Sequence, residues 1–383
     1  MVTRDDVARL AGTSTAVVSY VLNDGPRPVA AATRARVLAA VAKLGYRPNG
    51  VARSLRAKRT RVLGLLVPDS SNPYFARLAR AVEDAAFASG HAVVLGNAVD
   101  DVERELAYVR TFLESRVDGL LYIPAASTSP SIEELARSKV PTVVLDRTVA
   151  GLSASSVTAD NRVGARMATR HLLQHGHRRI AYLGGPAHLS TARDRRRGWA
   201  DAMRGAGLSV ERPLSVAGAF DRETGYHGAL ALLTRDPAPT AVFAAADELG
   251  VGAMRAAFEL GWKVPDDVAI ISFDGVAEAA AYTVPSLSCV RQPVETMGRR
   301  AIEMLLDLIA GTQSTHRAEV VPVDLVARGT CGCPEKPASA HRQDPTPSTR
   351  PEPSTRPELS ARPEPSTRPD PAVRLNQQEA SDA

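Results

Sequence analysis

Carboxylates, a guanidinium and aromatic side chains follow many of the apolar runs of this sequence. "VLGLLVPD" ends at Asp69, "PTVVLDR" ends at Asp146 and Arg147, and "DVAIISFDG" contains Asp274. Carboxylates accept hydrogen bonds from paired hydroxyls, a guanidinium donates in a fixed fork, and an aromatic face covers the apolar side of a sugar ring. The pattern predicts a site for a hydroxyl-rich small molecule, with these candidate ligand-binding residues: Asp69, Asn72, Tyr74, Phe75, Asp146, Arg147, Arg193, Phe220, Asp247 and Asp274.

Each of these carboxylates has an alternative role as a loop cap or a surface charge. Other features that resemble catalytic motifs are incomplete. "GGP" at 184–186 lacks the rest of a phosphate-binding loop, and no serine has the context of a nucleophile elbow. We therefore expect a binding protein rather than an enzyme, and no cofactor.

The three cysteines, Cys289, Cys331 and Cys333, do not form a disulfide framework. Cys331 and Cys333 flank a glycine, so a metal-binding or redox role is open. Two thiols alone make a poor metal site. We expect no metal there.

The elements that must position the candidate site alternate between strands and helices from about residue 61 to 328. Apolar runs such as "HAVVLGNAV", "RRIAYLGGP" and "TAVFAAAD" are separated by helical patterns such as "PYFARLARAVEDAAFASG". This alternation predicts parallel sheets covered by helices, an α/β fold. Ligands of such folds bind at the carboxyl ends of the strands.

The first 22 residues predict two short helices around a turn at Gly12. Thr3 and Ser14 are good N-caps, and Val7, Leu10 and Ala11 form an apolar stripe on the first helix. The second helix can pack Val17, Val18, Val21 and Leu22 inward, and leaves four residues outside: Thr15, Ala16, Ser19 and Tyr20. This pattern is typical of a helix-turn-helix, although an ordinary helical hairpin fits it too.

A third helix, over about 31–44, places Val37, Leu38, Val41 and Leu44 at helical spacing, and Gly45 ends it. Three segments follow one another along this part of the chain: "DVARLAG-S--VVS-VLN", "TR-RV-AA---LGYRPN" and "VARSL". In order and spacing they resemble the lactose-repressor (LacI/GalR) family of bacterial transcription regulators. The resemblance extends to about residue 328.

The resemblance implies a division into four parts. These are a helix-turn-helix head (1–48), a hinge helix (49–60), a two-lobed body of the type I periplasmic-binding-protein fold (61–330) and a tail (331–383). Residues 61–159 would form one lobe, with 289–328 crossing back to it, and 160–288 the other. An effector would lie between the lobes. Arg193, Asp247 and Asp274 match effector-contacting positions, and Phe220 matches an aromatic that packs on the effector.

The resemblance also assigns DNA contacts. Thr15, Ala16 and Tyr20 occupy the specificity positions in the major groove, and Ser14 and Ser19 suit phosphates. Leu55 of the hinge helix would wedge into the minor groove beside Ala52, unless it packs against its own domain. The predicted DNA-binding residues are Thr3, Ser14, Thr15, Ala16, Ser19, Tyr20, Asn23, Tyr46, Asn49, Ala52, Arg53 and Leu55.

Two departures from the family pattern are visible, since Ala30 stands where a serine often caps the third helix and Ala246 stands where a polar residue often precedes the aspartate. The second departure prevents carrying over the identity of the effector from the family.

His171 and His175 lie one helical turn apart, with His177 nearby, which superficially suggests a metal site. The family uses this stretch as a helix, a glycine stop and a strand lead-in, so we expect no metal.

Charge agrees with a DNA-binding head. Up to Arg61, twelve Lys and Arg residues face three acids, a net charge of +9, whereas the whole chain carries +5. A basic head on a mildly acidic body suits phosphate neutralisation. No apolar stretch follows the start methionine and no run approaches a membrane span, so we expect a cytoplasmic protein without a membrane partner.

From about residue 334 the chain is rich in proline, serine, threonine and arginine, with a six-residue repeat that starts at Arg350, Arg356, Arg362 and Arg368. Such a composition predicts a disordered tail, with or without a docking role. It lacks the apolar heptads that would join dimers into tetramers, so we expect a homodimer.

These features together predict a repressor that binds a pseudo-palindromic operator in double-stranded DNA as a homodimer. A small, sugar-like effector between the lobes would switch it by changing the spacing of two hinges that order only on DNA. The alternatives, a periplasmic-type solute-binding protein or a sugar-acting enzyme on the same body, need an export signal or catalytic groups that the sequence does not supply.

Overall fold

A computed structural model describes residues 2–22, 27–46, 59–210, 214–276, 280–313 and 315–334. Residues 47–58, which include most of the predicted hinge (49–60), and the tail from 335 lie outside the described residues. So do five predicted DNA contacts, which stay predictions: Asn23, Asn49, Ala52, Arg53 and Leu55.

Three helices form the head: α1 (Arg4–Ala11), α2 (Thr15–Leu22) and α3 (Ala31–Leu44). Both predicted N-caps are confirmed, because the Thr3 hydroxyl accepts from the Asp6 amide at 3.3 Å and the Ser14 hydroxyl accepts from the Val17 amide at 3.3 Å. Ala30 precedes α3 without any side-chain cap. The helix-turn-helix geometry is therefore present in the folded chain.

Two predicted core residues of the head are wrong. Leu10 and Leu38 are each 46% exposed, whereas the alanines Ala8 and Ala40 are buried. The buried face of α1 is centred on Val7, Ala8 and Ala11, which leaves Leu10 about 100° around the helix. Small side chains at the contact let the helices approach closely, so the leucines lie at its edge.

The first lobe is a six-stranded, entirely parallel sheet with the strand order β11-β5-β4-β3-β1-β2. The elements of its main part are β1 (Val62–Val67), α4 (Pro73–Ala88), β2 (Ala92–Asn97), α5 (Val102–Glu114), β3 (Gly119–Tyr122), α6 (Pro130–Arg137), β4 (Thr142–Leu145) and β5 (Ser155–Ala159). Its central strands are apolar on both faces and buried, as helix-covered parallel strands must be.

The second lobe repeats this plan with the order β12-β10-β9-β8-β6-β7. Its elements are α7 (Asn161–Gln174), β6 (Ile180–Gly184), α8 (Ser190–Gly205), β7 (Ser215–Ala217), α9 (Arg222–Leu233), β8 (Ala241–Ala244), α10 (Asp247–Glu259), β9 (Ala269–Asp274) and β10 (Ser288–Arg291). Among the strands of the described residues, only β12 runs antiparallel, against β10. In each sheet the order reverses beside the first strand, which creates a switch point at the carboxyl ends.

The assignment of 289–328 to the first lobe needs a correction. The remaining elements are α11 (Val294–Ala310), β11 (Ala318–Val321), β12 (Asp324–Val326) and a 3₁₀ helix (Gly329–Cys331). Of these, α11 and β11 join the first lobe, whereas β10 and β12 pair with each other in the second sheet. The chain therefore passes between the lobes three times, after β5, after β10 and after β11.

The body also extends beyond residue 330, because Cys331 is buried in the 3₁₀ helix. The Thr330 hydroxyl explains this, since it donates to the carbonyl of Ile270 at 2.7 Å and accepts from the amide of Ser288 at 2.8 Å. Within the described residues, none of the helices combines the length and the apolar character that crossing a membrane requires.

Candidate binding cavity and DNA-reading helix

A narrow cavity of about 20 Å³ lies between the lobes, at the carboxyl ends of strands from both sheets. This is room for about one water molecule and is far below the range typical of ligand pockets, so a sugar-sized ligand requires the lobes to move apart. Ten residues line it: Asn72, Tyr74, Phe75, Asp146, Arg147, Thr191, Arg195, Phe220, Ala246 and Asp274.

Seven of the ten candidate residues predicted from the sequence line this cavity, and three do not. Asp69 is half-buried in the loop after β1, where its carboxylate accepts from the amide and hydroxyl of Ser71. Arg193 points outward and donates to the carbonyl of His188 at 2.8 Å. Asp247 is buried behind the cavity, at the first turn of α10.

Arg195, rather than Arg193, brings a guanidinium to the cavity. It is buried and donates to Ala245 O at 2.6 Å, to Asn161 Oδ1 at 2.8 Å and to Asp274 Oδ1 at 3.1 Å. Its guanidinium carbon lies 3.8 Å from the centroid of the Phe273 ring. Thr191, Arg195 and Trp199 share the buried face of α8 at four-residue spacing, a helical signal that would have identified Arg195 from the sequence.

The buried carboxylates of the cavity are joined by Gln292, which sequence reasoning missed. Its amide nitrogen donates to Asp274 Oδ1 at 2.8 Å, and its Oε1 lies 3.1 Å from the Tyr74 hydroxyl. That hydroxyl donates to Asp146 Oδ1 at 2.6 Å. Gln292 directly follows β10, where the chain leaves the second lobe, so this network spans both lobes. We call Tyr74, Asp146, Arg195, Asp274 and Gln292 the cavity network.

Asp146 and Asp274 both have left-handed backbones, with φ of 67° and 113°. Such conformations are costly for residues other than glycine, and persist where the surrounding structure holds them. Here each residue ends a strand and turns its carboxylate into the hydrogen-bond network. The strain therefore serves to aim the two carboxylates.

Burial raises the pKa of two neighbouring carboxyl groups. The pKa of Asp247 is raised to about 8, first by burial and then by the charge of Asp274. Burial also raises the pKa of Asp274 to about 6, although Arg195 opposes the shift. Asp247 accepts from Ser272 Oγ and from the amide of Val276 at 2.7 Å, which fixes it as a support for the strand end that carries Asp274.

Arg147 carries a free hydrogen-bond donor at the cavity. Its Nη1 donates to the Pro124 carbonyl at 2.6 Å, but its buried Nε has no hydrogen-bond partner among the described residues. The nearest carboxylate oxygen of Asp146 is 3.8 Å away, beyond hydrogen-bond range. A buried unsatisfied donor costs about 1–3 kcal/mol, which a ligand acceptor at this point would recover.

Two phenylalanine rings, those of Phe75 and Phe220, complete the lining beside Tyr74. Phe220 packs against the backbone of Gly185 so closely that a Cβ built there would lie 2.1 Å from the ring. Glycine at 185, in the loop after β6, is what admits the Phe220 ring to its place. The "GGP" segment thus has a packing role in this cavity.

The outer face of α2 is the candidate DNA-reading surface. Ala16 is exposed, and Thr15, Ser19 and Tyr20 are half-buried, so the predicted specificity residues share an accessible helix. Thr3 is engaged in capping α1, where its hydroxyl donates to Asp6 at 2.6 Å. Tyr46 packs into the head core and is only 9% exposed. These positions favour structural roles for Thr3 and Tyr46 beside any DNA contact.

Comparison with known proteins agrees with this architecture. Residues 3–49 match the family of bacterial regulatory proteins, lacI family, and residues 169–331 match a periplasmic binding protein-like domain. The HTH-type transcriptional repressor PurR of Salmonella paratyphi B is 38% identical over 330 residues, which cover 86% of this chain and 96% of that protein. The chain belongs to the lacI family.

Solved structures of lacI-family regulators share the fold. A lac repressor dimer bound to operator and the anti-inducer ONPF has 30% identity and a TM-score of 0.78, over 86% of this chain and 99% of that one. The complex of the regulator CelR with cellobiose has 32% identity and a TM-score of 0.66, over 86% and 100% of the two chains. This lacI-family protein is a DNA-binding transcriptional regulator with an effector-binding domain, and not an enzyme.

Proposed function

We propose that this protein is a cytoplasmic repressor that binds a pseudo-palindromic operator as a homodimer and is switched by a neutral, sugar-like effector in the cavity between its lobes. The observation that carries the effector proposal is the cavity network together with the unpartnered Arg147 Nε. These groups form a dense set of hydrogen-bond partners with no reactive nucleophile among them.

The charges of the lining favour a neutral ligand. Two guanidinium groups, of Arg147 and Arg195, are matched by two carboxylates, of Asp146 and Asp274, and Arg195 is directly paired at 3.1 Å. An anionic sugar phosphate would add uncompensated negative charge to this balanced, buried set. Hydroxyl groups can both donate to the carboxylates and accept from the guanidiniums, and the two aromatic rings can cover the apolar face of a sugar.

The same network connects the cavity to the segments in which the chain passes from one lobe to the other. Asn161 lies where the chain first enters the second lobe, and its side chain accepts from Arg195. Gln292 lies at the next passage and donates to Asp274. A ligand that engages Arg195 and Asp274 therefore acts on both passages, and its preference for one lobe arrangement would set the sign of the switch.

Exposed apolar side chains support a dimer. Val94 and Leu95 of the edge strand β2 are 48% and 46% exposed, and Tyr282 and Val284 of the second lobe are 83% and 94% exposed. An uncovered, apolar edge strand is a hazard in a monomer and a natural surface for a second copy. A dimer would present two α2 helices to the two halves of an operator.

The effector proposal is tested by a thermal-shift screen of the full chain against neutral sugars, sugar phosphates and nucleosides. A ligand at about 100 times its Kd adds about 2.7 kcal/mol to the unfolding free energy. We expect a clear upward shift with a neutral sugar. A shift with sugar phosphates alone, or none with any class, would contradict the proposal.

The dimer is tested by sedimentation of Leu95→Glu, with Val320→Glu as the matched control on β11 at the opposite edge of the same sheet. Val320 is also exposed, at 57%. We expect Leu95→Glu to sediment as a monomer and to lose affinity for a palindromic site selected from random DNA. Equal behaviour of the two variants would remove the proposed interface.

A further inference from the structure

Four side chains from distant parts of the sequence converge on the outside of the second lobe. The ligand atoms of His171, His175 and Cys333 lie within 4.8 Å of one another, and Cys331 Sγ lies beside them, near His171. We call these four residues the cysteine–histidine cluster. Cys333 Sγ lies 3.5 Å from His171 Nε2 and 3.5 Å from His175 Nε2, and Cys331 Sγ lies 3.3 Å from His171 Nε2. All four are electron-pair donors of the types that zinc prefers.

The three sulfur–nitrogen distances are close to the sulfur–nitrogen edge of a coordination tetrahedron. With Zn–S of about 2.3 Å and Zn–N of about 2.0–2.1 Å, a sulfur and a nitrogen on one tetrahedral zinc ion lie about 3.6 Å apart. Hydrogen bonds among these groups account for part of the proximity. They do not require both imidazoles to turn Nε2 toward one thiol, and this arrangement is what a shared cation needs.

The fold holds the ligands in place before any ion binds. His171 lies in the last turn of α7 and His175 is the C-cap of that helix, so the two imidazoles lie on one side of the helix end, with ring centroids 4.6 Å apart. Gly332 has a φ of 84°, a left-handed conformation that lets the chain turn between the two cysteines. Just before them, Thr330 is hydrogen-bonded to two strands of the sheet. The two halves of the cluster are thus carried by anchored elements.

We propose that the cysteine–histidine cluster is a structural zinc site. His171, His175 and Cys333 would supply three ligands, and Cys331, beside His171, would supply the fourth once its thiol turns toward the ion. Four protein ligands leave no position for a substrate, which is the mark of a structural rather than a catalytic centre. The bound ion would join the end of α7 to the last described residues of the body, where the tail begins. This reverses the expectation from sequence, which weighed the histidine pair and the cysteine pair separately.

The zinc site is separate from the effector cavity. The helix α7 begins at Asn161, which contacts Arg195 of the cavity network, and reaches His171 ten residues later. Ten helical residues span about 15 Å. Zinc would therefore stiffen the helix whose other end contacts the cavity, without touching the effector.

The test uses the full-length protein, kept reduced, and measures bound zinc by elemental analysis after dialysis against zinc. It adds a titration with Co²⁺, whose visible spectrum reports tetrahedral thiolate coordination. We expect about one zinc per chain, a tetrahedral cobalt spectrum, and a melting temperature that falls when a chelator removes the ion.

Matched variants locate the ion. Cys333→Ser and His175→Gln should lose the zinc, whereas Cys289→Ser and His177→Gln, which lie outside the cluster, should keep it. Because the wild-type measurements need no variant, a folding defect in Cys333→Ser does not decide the result. Absence of zinc and of a cobalt–thiolate spectrum in the reduced wild-type protein would overturn the proposal, as would zinc retained by Cys331→Ser/Cys333→Ser.

Discussion

The two ends of helix α7 contact two polar clusters of opposite design. At the first end, Asn161 accepts from Arg195 of the cavity network, where donors and acceptors of opposite charge already pair with one another. At the last turn, His171 and His175 face Cys331 and Cys333, all of which donate electron pairs. The first cluster is nearly satisfied by itself, whereas the second would become satisfied by sharing the proposed cation.

This difference explains what each end can do. A network of matched charges can exchange its internal hydrogen bonds for those of a neutral ligand at small cost, and so can respond to a metabolite. The thiols and imidazoles pair with one another only through weak hydrogen bonds to sulfur, and the proposed metal ion would fix them in one geometry. The same helix therefore joins a responsive site to a proposed rigid one.

The largest effect is expected from removing the guanidinium of Arg195, which pairs with Asp274 in the cavity network. Arg195→Met would leave Asp274 buried without its ion pair, and breaking a buried pair in this way costs about 3–5 kcal/mol of unfolding free energy. The same change should weaken effector binding by about 10- to 100-fold, since a charged hydrogen bond is worth about 1.5–3 kcal/mol. Denaturant unfolding and calorimetry measure the two effects.

Arg193→Met is the matched control, because Arg193 lies two residues away on the same helix and donates to a loop carbonyl outside the cavity. Its effect on unfolding should stay within about 0.5 kcal/mol. If both variants lose the same stability and affinity, the assignment of the buried guanidinium to effector binding is wrong.

The second prediction concerns pH. The folded-state pKa values of Asp247, about 8, and Asp274, about 6, exceed the ordinary value of 3.8, so the folded protein holds protons that the unfolded chain has released. Stability should therefore fall as pH rises from about 4 to 8. A difference of one unit between folded and unfolded pKa is worth about 1.4 kcal/mol.

Thermal unfolding between pH 5 and 9 checks this, with Asp247→Asn as the test variant. The asparagine stays neutral, so the melting temperature should depend less on pH than in the wild type. Asp194→Asn, an exposed carboxylate paired with Arg197 on the surface of α8, should leave the pH profile unchanged. A wild-type profile that is flat from pH 5 to 8 would contradict the raised pKa values.

The cavity residues that the sequence predicts follow from local patterns, whereas the residues that it misses depend on which helix face is buried or on how distant parts of the chain are arranged. Asp146 and Asp274 were predicted because strand ends of a parallel sheet converge, a rule that needs only the apolar run before each residue. Identifying Arg195 requires knowing which face of α8 is buried, which its four-residue spacing from Thr191 and Trp199 indicates. Identifying Gln292 requires the path of the chain between the lobes, which no short run of sequence indicates.

The cysteine–histidine cluster shows the same limit more sharply. Its two halves are each unremarkable in the sequence, and more than 150 residues separate Cys331 from His175. Only the pairing of β12 with β10, in the lobe to which sequence reasoning had not assigned them, brings the cysteines to α7. An error in the path of the chain therefore hid the site.

The third prediction tests whether effector binding depends on the position of the Phe220 ring as it depends on the charged side chains. Gly185→Ala would push the Phe220 ring aside, because the added Cβ would lie 2.1 Å from it. We expect effector affinity to fall by about tenfold, the equivalent of about 1.4 kcal/mol, with operator binding intact. Gly205→Ala, where nothing lies within 4 Å, is the control and should bind effector normally.

The smallest effect concerns the start of α3, which lacks a side-chain cap. Ala30 precedes α3 and offers no side-chain acceptor, in contrast to Thr3 and Ser14 in the same head. Ala30→Ser should stabilise the head by about 0.5–2 kcal/mol, because a serine hydroxyl can accept from an amide of the first turn. Thermal unfolding of the full chain, followed through signals of the head, measures it. Ala31→Ser, one residue inside the helix, should give no gain; if it stabilises as much as Ala30→Ser, the benefit is not due to capping.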